Sequence, residues 1–257
     1  MRKIAALLSI IVISLIVIPA SYAYTLFSDD FSDGNTNGWS FYEPKPEYIG
    51  YWNVRDGVLH HEDPLGYQDN PTYMKFALID GIVTPRQFKL EADMSVITGL
   101  KGNDWGCAGF AWGVKNFTET ADFSEPYADV NTSYLVTNMD TVRSWSRVNH
   151  EPWKLGLLMG PGALNNDTTY HMSVDVDYIA ERMILTLGGV SATYTGDDFH
   201  TAGANLDGGI GLISFGDHVT FDNVVLTTPA APVPEPATLT LLGLGLLGLV
   251  FKKKKIA

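Results

Sequence analysis

Phe88-Lys89-Leu90-Glu91-Ala92-Asp93-Met94 sets the fold class of this chain. Phe88, Leu90, Ala92 and Met94 share one face, and the charges share the other. A period of two is the signature of a half-buried β-strand, since successive side chains leave a strand on opposite sides. Tyr170 to Asp177 repeats it, with Met172, Val174 and Val176 against His171, Ser173, Asp175 and Asp177. Met183, Leu185 and Leu187 continue the alternation after Tyr178–Glu181, so 170–177 and 182–188 are predicted to form a hairpin. Working outward, further strands are expected at 51–54, 57–61, 74–79, 107–114, 133–139, 143–148, 154–159, 191–195, 209–215 and 218–227. Turn signals separate them, among them Asp56-Gly57, Asp80-Gly81, Gly188-Gly189 and Gly216-Asp217. No stretch of this body keeps a helical apolar spacing for three turns. Many short strands without long helices predict an all-β, antiparallel sandwich, one domain over residues 24–228.

Charge narrows the function classes. The 257 residues carry 17 Lys plus Arg and 29 Asp plus Glu, a net of −12. Six of the basic residues lie at the two ends, Arg2, Lys3 and Lys252 to Lys255. Residues 24–232 hold 11 basic and 28 acidic side chains, a net of −17. So acidic a body excludes nucleic acid as the expected partner, because phosphate backbones are bound chiefly through Lys and Arg. A hydrophobic content of 46% is enough to build a core.

The ends read as addresses. Residues 1–23 form a signal peptide: Arg2 and Lys3, an uncharged stretch from Ile4 to Ile18, Pro19, then Ser21-Tyr22-Ala23 as the cleavage site. Export through the Sec machinery follows from it. Residues 229–236 are a Pro-rich linker, which cannot continue a helix. Residues 237–257 comprise an apolar helix, Ala237 to Phe251, and a lysine tail that stays cytoplasmic by the positive-inside rule. The body must then lie across the membrane.

Val233-Pro234-Glu235-Pro236, the Leu- and Gly-rich apolar run and the basic cluster together resemble the PEP-CTERM sorting signal of Gram-negative bacteria. The resemblance implies an exosortase as partner, a transient inner-membrane anchor, cleavage near Pro-Glu-Pro, and delivery to the cell surface or medium of cells that make exopolysaccharide. The body in turn resembles the concanavalin-like (laminin-G-like) jelly roll. Its segments run in order from Asp29-Asp30-Phe31 and Gly38-Trp39 through Trp52–Leu59, Phe88–Met94, Gly109–Trp112 and Tyr134–Val136. Gly209–Leu212 and Phe221-Asp222-Asn223-Val224 close the series. The resemblance implies that the closing strand pairs beside the first, and that carbohydrate is the ligand.

No catalytic residue is assigned. Laminarinase-type hydrolases of this fold carry Glu-x-Asp-x-x-Glu, whose carboxylates share a strand face. Glu91-Ala92-Asp93-Met94-Ser95-Val96 has Val96 in place of the second Glu. Asp175 to Glu181 has Asp for the first, and its Glu181 falls in the hairpin turn. A non-catalytic carbohydrate-binding protein of the matrix is therefore expected, with a glycan hydrolase or a purely structural surface protein as alternatives. Calcium, which needs several oxygen ligands, is the one expected cofactor. Proteins of this fold often hold it where first and last strands meet, at positions matching Asp30 and Asp222, with Asp29 nearby. Trp105 and Trp153, in polar loop-like contexts, are the candidate sugar-stacking rings, whereas Trp112 reads as core. His60-His61 beside Glu62 and Asp63 resembles a metal cluster, but neighbouring strand residues point to opposite faces and cannot easily converge. Cys107, the lone cysteine, alternates with Gly109 and Ala111 and is expected to be a buried, inert thiol.

Overall fold

A computed structural model describes residues 23–42, 51–62, 74–97, 106–117, 129–136, 141–148, 151–152, 155–158, 164–203, 207–216 and 218–229. The strands are β1 (Ala23–Asp29), β2 (Trp39–Tyr42), β3 (Trp52–Arg55), β4 (Val58–Glu62), β5 (Lys75–Val83), β6 (Gln87–Ile97), β7 (Gly106–Lys115) and β8 (Asp129–Val136). They continue as β9 (Thr141–Val148), β10 (Glu151–Pro152), β11 (Leu155–Leu158), β12 (Tyr170–Asp177), β13 (Arg182–Leu187) and β14 (Val190–Thr195). A short helix, α1 (Asp197–Gly203), precedes β15 (Gly209–Gly216) and β16 (His218–Pro229). Residues Thr25–Thr228 form one compact unit. The end segments that read as signal peptide and sorting helix lie outside the described residues.

Two eight-stranded sheets result. The first runs β14-β13-β12-β6-β16-β4-β3, with β1 also pairing β16. The second runs β10-β9-β8-β7-β15-β5-β2, with β11 pairing β9. Every strand pair with a defined register is antiparallel, as the alternation predicts, and the 170–177 hairpin pairs Met172 with Leu187 and Asp177 with Arg182. The β1–β16 pairing is the closure that the resemblance implied.

The core lies between the sheets. Phe88, Leu90, Ala92, Met94, Met172, Val174 and Val176 of the first sheet bury there with Phe110, Trp112, Leu135, Ile210 and Leu212 of the second. Fully burying such a side chain stabilises the fold by about 1.5–3 kcal/mol. The outer face of the first sheet is half-exposed, which gives β6 its alternating burial. Strands β5, β7, β8 and β15 of the second sheet carry buried residues on both faces. Phe76, Leu78, Cys107, Ala111, Val114, Tyr134 and Ile213 form a second apolar cluster on its far side.

That double burial explains where the sequence reading slipped. An unbroken period of two would put Val114 on one face with Phe110 and Trp112. The structure puts it in the second cluster. Gly113 takes φ +65° and β7 bulges against β8 between Trp112 and Lys115, so the face flips there. Strand β8 starts four residues earlier than expected. Asn131 and Thr132 fall outside the expected strand 133–139, yet with Ser133 they are fully buried in β8. Asn131 Nδ2 offsets its desolvation by donating to the Trp112 carbonyl at 3.3 Å. Strands β1 and β2 and helix α1 carry no long apolar period. The helix is tethered mainly by Phe199, which is buried edge-on to Tyr178 at 5.4 Å.

Candidate functional site

The outer face of the first sheet carries the polar side chains of β6, β12, β16 and β4, and its centre is a row of ionisable groups. Strand register places His171 of β12 opposite Asp93 of β6, and Asp93 opposite Asp222 of β16. His171 Nδ1 meets Asp93 Oδ1 at 2.8 Å, and Asn223 Nδ2 donates to Asp93 Oδ2 at 2.9 Å. Glu91 is bound to Lys89 and lies 3.7 Å from His171. Both carboxylates of the Glu91-x-Asp93 stretch are thus held by their neighbours. Asp177, in the other acidic stretch, accepts from the Ile179 and Ala180 amides and closes the hairpin turn. Glu181 lies in that turn with φ +50°.

At the edge of this row β16 bulges between Asp222 and Val225, with Asn223 in the left-handed region at φ +50°. The end of β1 meets this bulge. Together they line a cleft of about 410 Å³ whose walls include Asp29, Asp30, Asp33 and Asn223. Asp29 is fully engaged: Oδ1 accepts from the Phe31 amide at 2.8 Å, and Oδ2 from Trp39 Nε1 at 2.8 Å. Asp30 accepts from Ser32 N and Oγ, both on Oδ1, and these bonds hold its pKa below the ordinary value. Asp222 behaves oppositely. Burial raises its pKa, and the charges of Asp93, Asp30 and Asp29 add to the rise, against a bond from the Asn223 amide. The two residues expected to share a cation are therefore close enough to repel each other. Asp30 lines the cleft, and Asp222 adjoins its lining residue Asn223 in the chain.

The tryptophans divide differently from expectation. Trp39, Trp52 and Trp112 are buried. Trp112 Nε1 donates to the Tyr178 hydroxyl at 3.0 Å, which makes it a core anchor as read. Trp105 and Trp153 lie outside the described residues. A different pair of exposed rings stands at the β2 edge of the second sheet. Tyr42 and Phe117 stack with centroids 4.5 Å apart and planes 5° from parallel. Each keeps 36% of its surface exposed. Sequence reasoning missed them because nothing local to either residue signals the other across the intervening chain.

His60 and His61 do point to opposite faces. His61 is fully buried, and its Nδ1 meets Ser214 Oγ of β15 at 3.0 Å, a polar tie across the sandwich. Burial, and then the positive charges of Lys75 and His218, hold the His61 imidazole well below its usual pKa. Asp63 lies outside the described residues. Cys107 is buried, as expected.

Known proteins place these features in context. Residues 232–255 match the PEP-CTERM protein-sorting motif. No curated protein matches the chain in sequence. Among solved structures, the carbohydrate-binding module CBM66 from Bacillus subtilis is 14% identical, with a TM-score of 0.51 over 74% of this chain and 96% of that one. Winged bean acidic lectin in complex with methyl-α-D-galactose is 11% identical, with a TM-score of 0.53 over 81% and 99%. The exoplasmic/lumenal domain of VIP36, in a form bound to Ca²⁺ and Man3GlcNAc, is 9% identical, with a TM-score of 0.55 over 83% and 93%. At these identities the likeness is one of fold. The chain therefore carries a lectin-like jelly-roll sandwich followed by a PEP-CTERM sorting motif, the mark of a protein exported to the cell surface.

Proposed function

We propose that this protein is a non-catalytic glycan binder, sorted by an exosortase and retained in the exopolysaccharide matrix of the Gram-negative cell that makes it. The observation that carries the reading is the joining of a lectin-like sandwich to a sorting motif. Each half alone fits many roles, whereas together they put a sugar-binding fold outside the cell. The stacked Tyr42 and Phe117 rings supply a flat, partly wet surface suited to the apolar face of a sugar ring. On a glycan panel that includes the producer's exopolysaccharide, the protein is expected to bind without releasing product. Tyr42→Ala and Phe117→Ala are each expected to weaken binding about tenfold. Reducing ends released by the wild type but not by Glu91→Gln would instead identify a hydrolase. Silence across the panel would leave a structural surface protein.

Calcium is the proposed cofactor, held between Asp30 and Asp222. The mutual repulsion of Asp222 with Asp30, Asp29 and Asp93 supports it, because a divalent cation converts that repulsion into attraction. Without calcium the repulsion destabilises the native state at neutral pH. It fades as the pH falls through the raised folded-state pKa, and is gone below the ordinary value of 3.8. The expected result has two signs. In chelator, Asp222→Asn melts about 1–2 °C above the wild type. In millimolar calcium the wild type rises and the variant does not. A wild-type melting temperature indifferent to calcium would remove the cofactor from the proposal.

A further inference from the structure

Strand β4 separates its two adjacent histidines, and the outward one finds company. His60 and Glu62 lie two residues apart on the same face of β4. His218, the first residue of β16, stands opposite Glu62 in the ladder. His60 Nδ1 and His218 Nε2 are 2.9 Å apart, and His218 Nε2 is 3.5 Å from Glu62 Oε1. All three ligand atoms lie within 4.8 Å of one another. Two ligand atoms on a tetrahedral ion with bonds of 2.0–2.1 Å stand about 3.3 Å apart. The triangle is therefore already close to the size of a coordination face. We propose that His60, Glu62 and His218 bind a zinc-like divalent transition-metal ion, with a fourth position open to solvent.

The donor set selects the metal. Two imidazoles and one carboxylate suit zinc, copper or nickel, whereas calcium takes oxygen donors alone. This site is thus chemically distinct from the aspartate cleft. Its ligands are also prepared for binding. Burial, followed by Arg55 and His218, keeps His60 below its ordinary pKa. Burial also lowers that of His218, against the charges of Glu62 and Asp167. Neutral imidazole is the form that ligates. Arg55 is the competitor. Its Nη2 donates to Glu62 Oε1 at 2.6 Å and lies 3.3 Å from His60 Nδ1. Glu62 is the group that draws the guanidinium here. The Arg55 side chain is half-exposed, so it is free to swing into solvent when a metal takes Glu62. Bound metal would clip β4 to β16.

The test is zinc chloride added to the metal-free, purified full chain. One equivalent is expected to bind, and a hundredfold excess over the dissociation constant to raise the melting temperature by about 5 °C or more. His60→Gln and His218→Gln are each expected to weaken zinc binding at least tenfold, while Asp222→Asn leaves it intact. No thermal shift in the wild type, or a shift retained in both histidine variants, overturns the site. His60 is only half-buried, so its variant decides if the His218 variant does not fold. Cobalt(II) on the unmodified chain gives an answer independent of either substitution. An intense visible band of a low-coordinate ion is expected, and a pale octahedral spectrum overturns the proposal.

Discussion

Cells making the Glu235→Ala chain are expected to retain it, with Lys252 to Lys255 still attached. Wild-type cells are expected to yield a surface or extracellular form whose intact mass lacks those four lysines. The effect should be all-or-none, because it concerns a covalent step and not an equilibrium. The argument rests on the order of the parts within residues 232–255, which match the sorting motif. By the positive-inside rule the lysines are expected to stay on the cytoplasmic side. The apolar run from Ala237 to Phe251 spans 15 residues, short of the roughly 20 that cross a bilayer comfortably. By sequence, the prolines flanking Glu235 disfavour a helix there, and extended backbone is the form a peptidase can grip. Intact-mass measurement together with fractionation checks this. An extracellular wild-type form that keeps Lys252 to Lys255 would refute it.

The second large effect lies inside the sandwich. Gly109→Ala is expected to cost about 3–5 kcal/mol and to lower the melting temperature by about 10 °C or more. A Cβ at Gly109 would fall on the Ser133 carbonyl oxygen and the Tyr134 Cα of the neighbouring strand β8. Those are backbone atoms in a paired ladder, with Gly109 registered opposite Tyr134. They cannot rotate away as a side-chain tip can. A surface change such as Ser191→Ala is the matched control, expected to shift stability by no more than about 0.5 kcal/mol. If Gly109→Ala melts within 2 °C of that control, the strands do not approach as closely there as the structure states.

The sequence was most legible where burial was one-sided. Strands β6, β12 and β13 each show one face to the core and one to water, and alternation located them to within a few residues. It was least legible in the second sheet. There Cys107 to Val114 is buried on both faces, so the period carries no direction and the flip at Gly113 left no trace. Polar residues hid the start of β8: Asn131 lies outside the expected strand, and its burial depends on the Trp112 carbonyl beside it. Of the candidate site, Asp30 and Asp222 were legible because the chain ends of this fold meet. His218 was not, since 158 residues separate it from His60. Convergence on a metal was weighed only for His60 with His61. His60 and His61 do diverge, but His60 and Glu62 do not.

The place of β16 in the first sheet has a mechanical consequence. This strand is bonded to β6 on one side and β4 on the other, and β1 pairs with it too. It also leads directly into the linker and the sorting motif. Whenever the protein is tethered through its C-terminal end, tension enters along the axis of β16. Ladder hydrogen bonds lie perpendicular to that axis. A pull along the strand therefore loads them together in shear, where a pull on an edge strand could peel them one by one. A chain tethered there would take the load on a strand held from both sides.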